Sequence, residues 1–259
     1  MSFWFILWVL ISVFLLGFLA WTILILVRQK AVWKSYAAKH QLRYKPNSFF
    51  EVPEMNGIID THSVSVFSGE HSSPDARYSR KMTAIEIQLA SKMPIEGGVA
   101  SNGMTDIVQG LNFKDESTFD HKSWKKTYIA KSANRTVLEA YLTPERLDAL
   151  TNLMKVENFW IILIFKDDVM LLRLDTSDPL NTEAKLDKVV KGMIKTAQAL
   201  ELNDGEADRL AKVEAKAPAK AVSIDLDEKT ADSIGLELEE DEEPSEDQSS
   251  EENPSTEKE

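Results

Sequence analysis

The polar segment GEHSSPDARYSRK, which runs from Gly69 to Lys81, contains the residue types that could carry out acid–base chemistry. If the segment folded back on itself it could supply a general base and a nucleophile, as a hydrolase requires. A solvated loop between two strands explains the same composition, and we favour that interpretation. The residues concerned are His71, Ser72, Ser73, Asp75, Arg77 and Tyr78.

The segment GVASNGMT, from Gly98 to Thr105, resembles the phosphate-binding pattern G-x-x-x-x-G-K-[ST]. Met104 stands where that pattern needs the lysine that reaches the phosphates, and Pro94 lies where the preceding strand should run. Nucleotide binding is therefore not expected here. Clustered glycine usually serves turns that need positive φ, and we assign that role to Gly97, Gly98 and Gly103.

Other catalytic patterns are missing from the sequence. The four histidines lack the i, i+4 pairing of H-E-x-x-H, and no G-x-S-x-G occurs. The absence of cysteine excludes a disulfide, a thiolate zinc site and a cysteine nucleophile. We therefore predict no catalytic residues, no metal and no cofactor.

The elements that would position any site begin with an apolar run from Phe3 to Val27, FWFILWVLISVFLLGFLAWTILILV. A helix needs about 20 residues to cross a hydrocarbon core of about 30 Å, so this run predicts a transmembrane helix. A cleaved signal peptide would need a basic start and a shorter apolar stretch. Since no basic residue precedes Arg28 and the apolar sequence continues past residues 17–21, we favour the membrane span.

The charges that follow the apolar run are all positive as far as Phe50, and Glu51 is the first acid. Cytoplasmic flanks of membrane spans carry the excess of lysine and arginine. We therefore predict that the N-terminus lies outside and everything after Val27 in the cytoplasm. The six bases are Arg28, Lys30, Lys34, Lys39, Arg43 and Lys45.

A basic juxtamembrane helix is predicted over residues 28–41. Lys30 and Lys34 share one helix face, and Trp33 and Ala37 share another. We predict that the membrane-interface residues are Arg28, Lys30, Trp33 and Lys34 and that membrane lipids are a partner. The alternative is that these bases signal topology alone.

Residues 42–200 have the mixed composition of a folded domain. Strands are predicted in the segments MNGIIDTHSVSVFSG (55–69), MTAIEIQLA (82–90), KTYIAK (126–131) and FWIILIFK followed by VMLLRLD (159–175). The first should hold two strands that meet near residues 60–62, and the last should be a buried hairpin. Ile162 and Leu171 are both expected to be buried.

Helices are predicted over residues 133–155 and 181–200. Thr143 and Pro144 should divide the first of these, because proline suits a first helical turn and threonine caps one. The second places Leu186, Val190, Met193, Ala197 and Leu200 on one face, which should cover the sheet. Strands and helices that do not alternate regularly predict an α+β domain.

Residues 201–259 contain 21 acids and 6 bases, a net charge of −15, against −12 for the whole chain. We predict that this tail is disordered and contributes interaction rather than stability. Two segments in it alternate aliphatic and acidic residues, a pattern that can add to a partner's sheet edge or groove. The alternative is that they only solubilise the chain. The predicted partner-binding residues are Ile224, Leu226, Ile234, Leu236 and Leu238.

The N-terminal part of the chain resembles uncharacterised single-pass bacterial membrane proteins with a β-rich cytoplasmic domain. The likeness covers residues 3–69 and implies a bacterial inner membrane. The likeness provides no catalytic residues. From the cytoplasmic domain and the acidic tail we expect a membrane-tethered, non-enzymatic adaptor or regulatory protein that recruits an unknown protein and no nucleic acid, with its oligomeric state open. A membrane-bound hydrolase that uses the loop around His71 is the alternative. The residues that carry the likeness are Trp33, Ala37, Leu42, Arg43, Tyr44 and Gly57.

Overall fold

A computed structural model describes residues 3–48, 51–71, 80–111 and 113–216. These residues form an α+β structure with a long apolar N-terminal helix, as predicted. The helices are α1 (Phe3–Lys39), α2 (Thr105–Gly110), α3 (Arg135–Tyr141), α4 (Pro144–Met154), α5 (Glu183–Leu200) and α6 (Glu206–Lys216). The strands are β1 (Arg43–Lys45), β2 (Glu54–Ile59), β3 (His62–His71), β4 (Arg80–Leu89), β5 (Gly97–Ala100), β6 (Asp115–Glu116), β7 (Ile129–Ser132), β8 (Phe159–Lys166) and β9 (Val169–Thr176).

The described strands form one antiparallel sheet in the order β1-β2-β3-β4-β9-β8-β5-β7-β6. Its centre is the pairing of β4 with β9, which places Ile87 opposite Leu172 and Ile85 opposite Leu174. Alternation along the strands sends these side chains to one face of the sheet, where they share a core with the helices. Short strands at both edges, β1 and β6, leave little unpaired backbone for another chain to join.

The two predicted hairpins turn through two residues each. Asp60 and Thr61 join β2 to β3 with φ of 47° and 71°, and Asp167 and Asp168 join β8 to β9 with φ of 51° and 62°. Positive φ at both central residues is the geometry that matches the twist of the flanking strands. Aspartate tolerates it, whereas it is unusual for the β-branched Thr61. Neither turn contains the glycine that usually marks such hairpins in a sequence.

Helix α5 packs its predicted apolar face into the core, where Leu186, Val190 and Leu200 have no exposed surface. The division of the preceding helical segment is also confirmed: α3 ends at Tyr141 and α4 begins at Pro144. Thr143 caps α4 by accepting a hydrogen bond from the backbone of Arg146 at 3.5 Å.

The glycines of the segment around Gly98 have a role other than the predicted turns. Gly97 and Gly98 lie inside β5, and none of Gly97, Gly98 and Gly103 has positive φ. A Cβ on Gly97 would come within 2.4 Å of the Phe165 ring, so glycine is needed for close packing in the sheet. Met104, at the position of the missing lysine, is fully buried in a second small core.

The buried hairpin β8–β9 contributes to both faces of the sheet. Ile162 is buried against α2 in the second core, as predicted. Leu171 points to the same face but does not belong to the second core, and it is only half-buried. The prediction that Leu171 is buried in the same way as Ile162 is therefore wrong.

The folded part of the chain does not end at Leu200. Helix α6 follows, and its Leu210 has no exposed surface. Glu206 receives two hydrogen bonds of 2.7 Å from the guanidinium of Arg146 on α4, and both side chains are about 95% buried. The prediction of disorder is wrong for residues 206–216, and the boundary of the folded part moves to Lys216.

Arg146 also binds the backbone where α5 ends. Its guanidinium donates to the carbonyls of Tyr141 at 2.9 Å and Glu201 at 2.7 Å, and it lies 4.5 Å from the centre of the Tyr141 ring. The Tyr141 hydroxyl donates in turn to the carbonyl of Leu200 at 2.7 Å. We call this group, Tyr141, Arg146 and Glu206 with the backbone of residues 199–201, the exit clasp.

Candidate membrane interface

Helix α1 changes character along its length without a break. Its first part has no buried residue in an 18-residue window of mean hydropathy 2.7, and it is the one described helix long and apolar enough to cross a membrane. Its last turns bury Gln29, Trp33, Tyr36 and Ala37, which recur at helical spacing. The same helix is therefore an isolated apolar rod at one end and a core element of the domain at the other.

Trp33 is the centre of this contact. Its side chain has no exposed surface, and its indole N–H donates to the carbonyl of Leu180 at 3.3 Å. Leu180 has φ of 47°, unusual for a branched residue, and this conformation accompanies a fully buried side chain. The domain covers Trp33 completely, so its side chain belongs to the core, and its predicted place at the membrane interface stays a prediction. We call the contact of Trp33, Tyr36 and Ala37 with the domain the entry junction.

The end of α1 continues the contact with α5. The ring of Tyr36 lies 4.3 Å from that of His40, and burial, together with Asp187 and Glu183 nearby, raises the pKa of the Tyr36 phenol. Lys39 forms an ion pair of 2.6 Å with Glu183 at the surface. His40 Nε2 is 3.8 Å from the carboxylate of Asp187, too far for a hydrogen bond.

The three predicted interface bases have different surroundings. Lys30 donates to the carbonyl of Ser48 at 2.7 Å and so fixes the chain that leaves β1. Arg28 and Lys34 are exposed, and the part of the chain that the structure describes gives neither of them a hydrogen bond or an ion pair. These two cations are therefore available to a ligand outside the chain.

A groove lies beside Arg28, between α1 and the connection from β9 to α5. Its volume is about 470 Å³. Asn181 forms one wall, and it was missed by sequence reasoning because a single polar loop residue carries no pattern. The other lining residues come from one helix: Trp21, Leu24, Ile25, Val27, Arg28 and Ala31.

His71, on which the hydrolase alternative depends, ends β3 on the opposite face of the sheet from the main core. Its ring contacts that of Trp160 edge to face, with centroids 4.6 Å apart. The described residues give His71 no hydrogen bond or ion pair. Ser72, Ser73 and Asp75 lie outside the described residues, as do Arg77 and Tyr78.

A charged cluster lies on the same face of the sheet as His71. Arg173 binds Asp175 through two hydrogen bonds of 2.8 and 3.0 Å and Glu86 through one of 3.1 Å. Asp175 is fully buried, so the arginine is held by its neighbours rather than presented to a ligand.

Metal binding finds no support in residues 3–48, 51–71, 80–111 and 113–216, where no group of three or more histidine or carboxylate side chains could hold an ion. The predicted partner-binding residues lie outside the described residues. These are Ile224, Leu226, Ile234, Leu236 and Leu238.

Comparison with known proteins gives one distant likeness. No family model and no curated protein matches the chain. The crystal structure of the mycobacterial trehalose monomycolate transport factor A, TtfA, aligns at 12% identity with a TM-score of 0.41, over 66% of this chain and 94% of that chain. A TM-score of this size supports no argument about function.

Proposed function

We propose that this protein is a membrane-tethered, non-enzymatic adaptor. In this proposal α1 crosses a bacterial inner membrane, its N-terminus lies outside, and the sheet domain and the acidic tail lie in the cytoplasm. The observation that carries the proposal is the continuity of α1, which runs from an apolar segment without a buried residue into the core at Trp33 without a break.

An exposed apolar helix is costly in water but stable in a bilayer, where its backbone groups are satisfied internally. The entry junction then holds the domain against the membrane, because no flexible linker separates the two. Such a rigid connection suits a protein that presents a surface at a set distance from the bilayer.

The tail supplies the proposed recruiting element. The aliphatic residues Ile224 and Leu226 alternate with the acids Asp225 and Asp227, so one side of an extended strand would be apolar and the other charged. A partner with an open sheet edge or an apolar groove could bind that side.

The orientation is tested by fusing reporters after Glu259. A fluorescent protein that folds only in the cytoplasm should fluoresce there, and alkaline phosphatase, which is active only in the periplasm, should stay inactive. As a matched control, Arg28, Lys30 and Lys34 are changed to glutamine and lysines are added after Ser2. This change should invert part of the population, because the lysine and arginine bias sets orientation. Phosphatase activity from the unchanged chain would contradict the proposed topology.

Recruitment is tested by affinity capture of the full-length chain from membranes. A captured protein should be lost when Ile224 and Leu226 are both changed to serine. It should be retained when Asp225 and Asp227 are both changed to asparagine, if the apolar side makes the contact. Substrate turnover by the purified chain that disappears in His71→Ala would instead support the hydrolase alternative.

A further inference from the structure

We propose that the groove beside Arg28 binds one anionic phospholipid, with an acyl chain against the apolar wall and the headgroup phosphate on Arg28 and Asn181. This inference rests on the proposed function, because it requires α1 to lie in a membrane. It goes further by assigning a defined lipid site, where a basic flank alone would give only a diffuse attraction.

The groove lies along α1 at the depth where the acyl chains of a bilayer give way to the headgroups. The 25 residues from Phe3 to Val27 extend about 37 Å as a helix, whereas the hydrocarbon core is about 30 Å thick. The last apolar turns therefore reach the headgroup level when the span begins near Phe3. The groove begins at Trp21 and ends at Ala31, so it crosses that level.

The lining of the groove has the chemistry of a lipid. Leu24, Ile25 and Val27 offer hydrocarbon, and Arg28 follows them directly with a guanidinium that the described residues leave without an acceptor. Arginine can bind a phosphate through two parallel hydrogen bonds, and the amide of Asn181 can donate a further one. Anionic lipid complements this single cation better than a zwitterionic lipid does.

The loop that carries Asn181 is held in place before any ligand arrives. The backbone N–H of Leu180 donates to Asp178 Oδ1 at 2.9 Å, and the N–H of Asp178 donates to Thr176 Oγ1 at 3.1 Å. The indole of Trp33 holds the Leu180 carbonyl from the other side. A wall fixed in this way lowers the ordering cost of binding.

The size of the groove suits part of one lipid. A volume of about 470 Å³ falls within the range of about 300 to 1,000 Å³ that is usual for small-molecule sites. Among the described residues α1 alone supplies the apolar wall of the groove, so the rest of the acyl chain would remain among bulk lipid.

The experiment counts the lipid molecules that remain on the full-length protein. The chain is reconstituted into nanodiscs of equal parts phosphatidylcholine and phosphatidylglycerol, transferred to a non-ionic detergent and weighed by native mass spectrometry. One phosphatidylglycerol should remain per chain. Arg28→Gln should weaken its retention about tenfold, which corresponds to about 1.4 kcal/mol. Ala31→Trp, which fills the groove and leaves the charge, should weaken it by a similar factor.

The matched control is Lys34→Gln, which removes the same charge from an exposed position that does not line the groove. It should retain phosphatidylglycerol as the unchanged chain does. Equal loss in Lys34→Gln and Arg28→Gln, equal retention of phosphatidylcholine, or displacement of the lipid by inorganic phosphate would each overturn the proposed site.

Cell fractionation separates failure of this inference from failure of the proposed function. A chain that fractionates with membranes but retains no phosphatidylglycerol would overturn the lipid site alone. A chain that fractionates with soluble proteins would overturn the membrane tether and the lipid site together. Arg28→Gln should remain in the membrane fraction, since α1 keeps its apolar run.

Discussion

The entry junction and the exit clasp attach the two ends of the folded chain by different kinds of contact. At the entry, Trp33, Tyr36 and Ala37 bury apolar surface, with one hydrogen bond to the loop before α5. At the exit, Arg146 and Glu206 form a buried ion pair with two hydrogen bonds. The entry junction and the exit clasp each include residues outside 42–200, the segment predicted as the domain.

The two attachments differ in the free-energy cost of removing one of their residues. Loss of a buried apolar side chain costs the transfer free energy and leaves a cavity. Loss of one partner of a buried ion pair leaves the other charge uncompensated in a poorly solvated site, which costs about 3 to 5 kcal/mol. The exit clasp is therefore the attachment more sensitive to removal of one side.

The largest effect is expected from a chain that ends at Leu200 instead of Lys216. It lacks Glu206, so Arg146 is left buried without its partner, and it lacks Leu210 from the core. The first loss costs about 3 to 5 kcal/mol and the second adds about 1.5 to 3 kcal/mol. Since domains are stable by about 5 to 15 kcal/mol, the shortened chain should be largely open to protease.

The control for this comparison is a chain that ends at Lys216, digested with the same protease in the same detergent. It should resist cleavage as the full-length chain does. If the chains ending at Leu200 and Lys216 are cleaved at the same rate, α6 does not stabilise the domain and the exit clasp is not an attachment.

The next largest effect is expected at the entry junction. Trp33→Ala should lower the free energy of unfolding by about 3 to 5 kcal/mol, because the indole is fully buried in the core. Urea denaturation of the full-length chain in detergent measures this change. Trp8→Ala removes the same side chain from a position that is 66% exposed, and its midpoint should stay unchanged.

Acid should weaken the exit clasp, and the expected loss in free energy of unfolding is smaller than for the two changes above. The Arg146 guanidinium lowers the pKa of Glu206 from 4.5 to about 2. A carboxylate with a lowered folded pKa stabilises the protein above its unfolded pKa, and this contribution is lost as the pH falls from about 4.5 towards 2. The shift corresponds to about 3 kcal/mol. Thermal melts across this range should show the loss.

The double variant Arg146→Met with Glu206→Leu tests the assignment of that acid effect. Apolar replacement of both members of a buried ion pair is often neutral or stabilising at neutral pH. The double variant should melt near the unchanged chain at neutral pH and lose less stability in acid. If the double variant loses as much stability in acid as the unchanged chain does, the loss comes from other carboxylates.

The sheet and most of the helices could be predicted because their signals are local. Alternation in residues 82–89 indicated β4. The two apolar runs on either side of residues 167–168 indicated the β8–β9 hairpin. Proline at position 144 indicated where α4 begins. Each of these rests on neighbours within a few residues, where periodicity and backbone preference decide the structure.

The attachments and the groove could be predicted only in part, because they depend on residues far apart in sequence. Trp33 and Ala37 were recognised as one helix face, but their partner Leu180 lies 147 positions from Trp33. Arg146 and Glu206 are 60 positions apart, and in the sequence Glu206 is one acid among many. Asn181 gave no signal, since its role comes from the loop that positions it.

Strand β5 was missed for a different reason. The sequence pattern predicted turns at Gly97 and Gly98, because glycine is a poor strand former. The crowding of Phe165 and the Lys131 carbonyl, which makes glycine necessary at position 97, exists only after β5, β7 and β8 are paired.

The separation of Trp33 from Leu180 has a consequence during synthesis of the chain. The ribosome makes α1 before the residues that will cover Trp33, so in the proposed topology its apolar part can enter the bilayer before those residues are translated. The apolar face of the last turns of α1 then stays open until the loop before α5 emerges, 147 positions after Trp33. Arg146 waits for a shorter stretch of chain, because Glu206 follows it by 60 positions. If α1 inserts into a membrane as proposed, folding of the domain is completed on an anchored chain, and the entry junction and the exit clasp close one soon after the other, because Leu180 and Glu206 are near each other in the sequence.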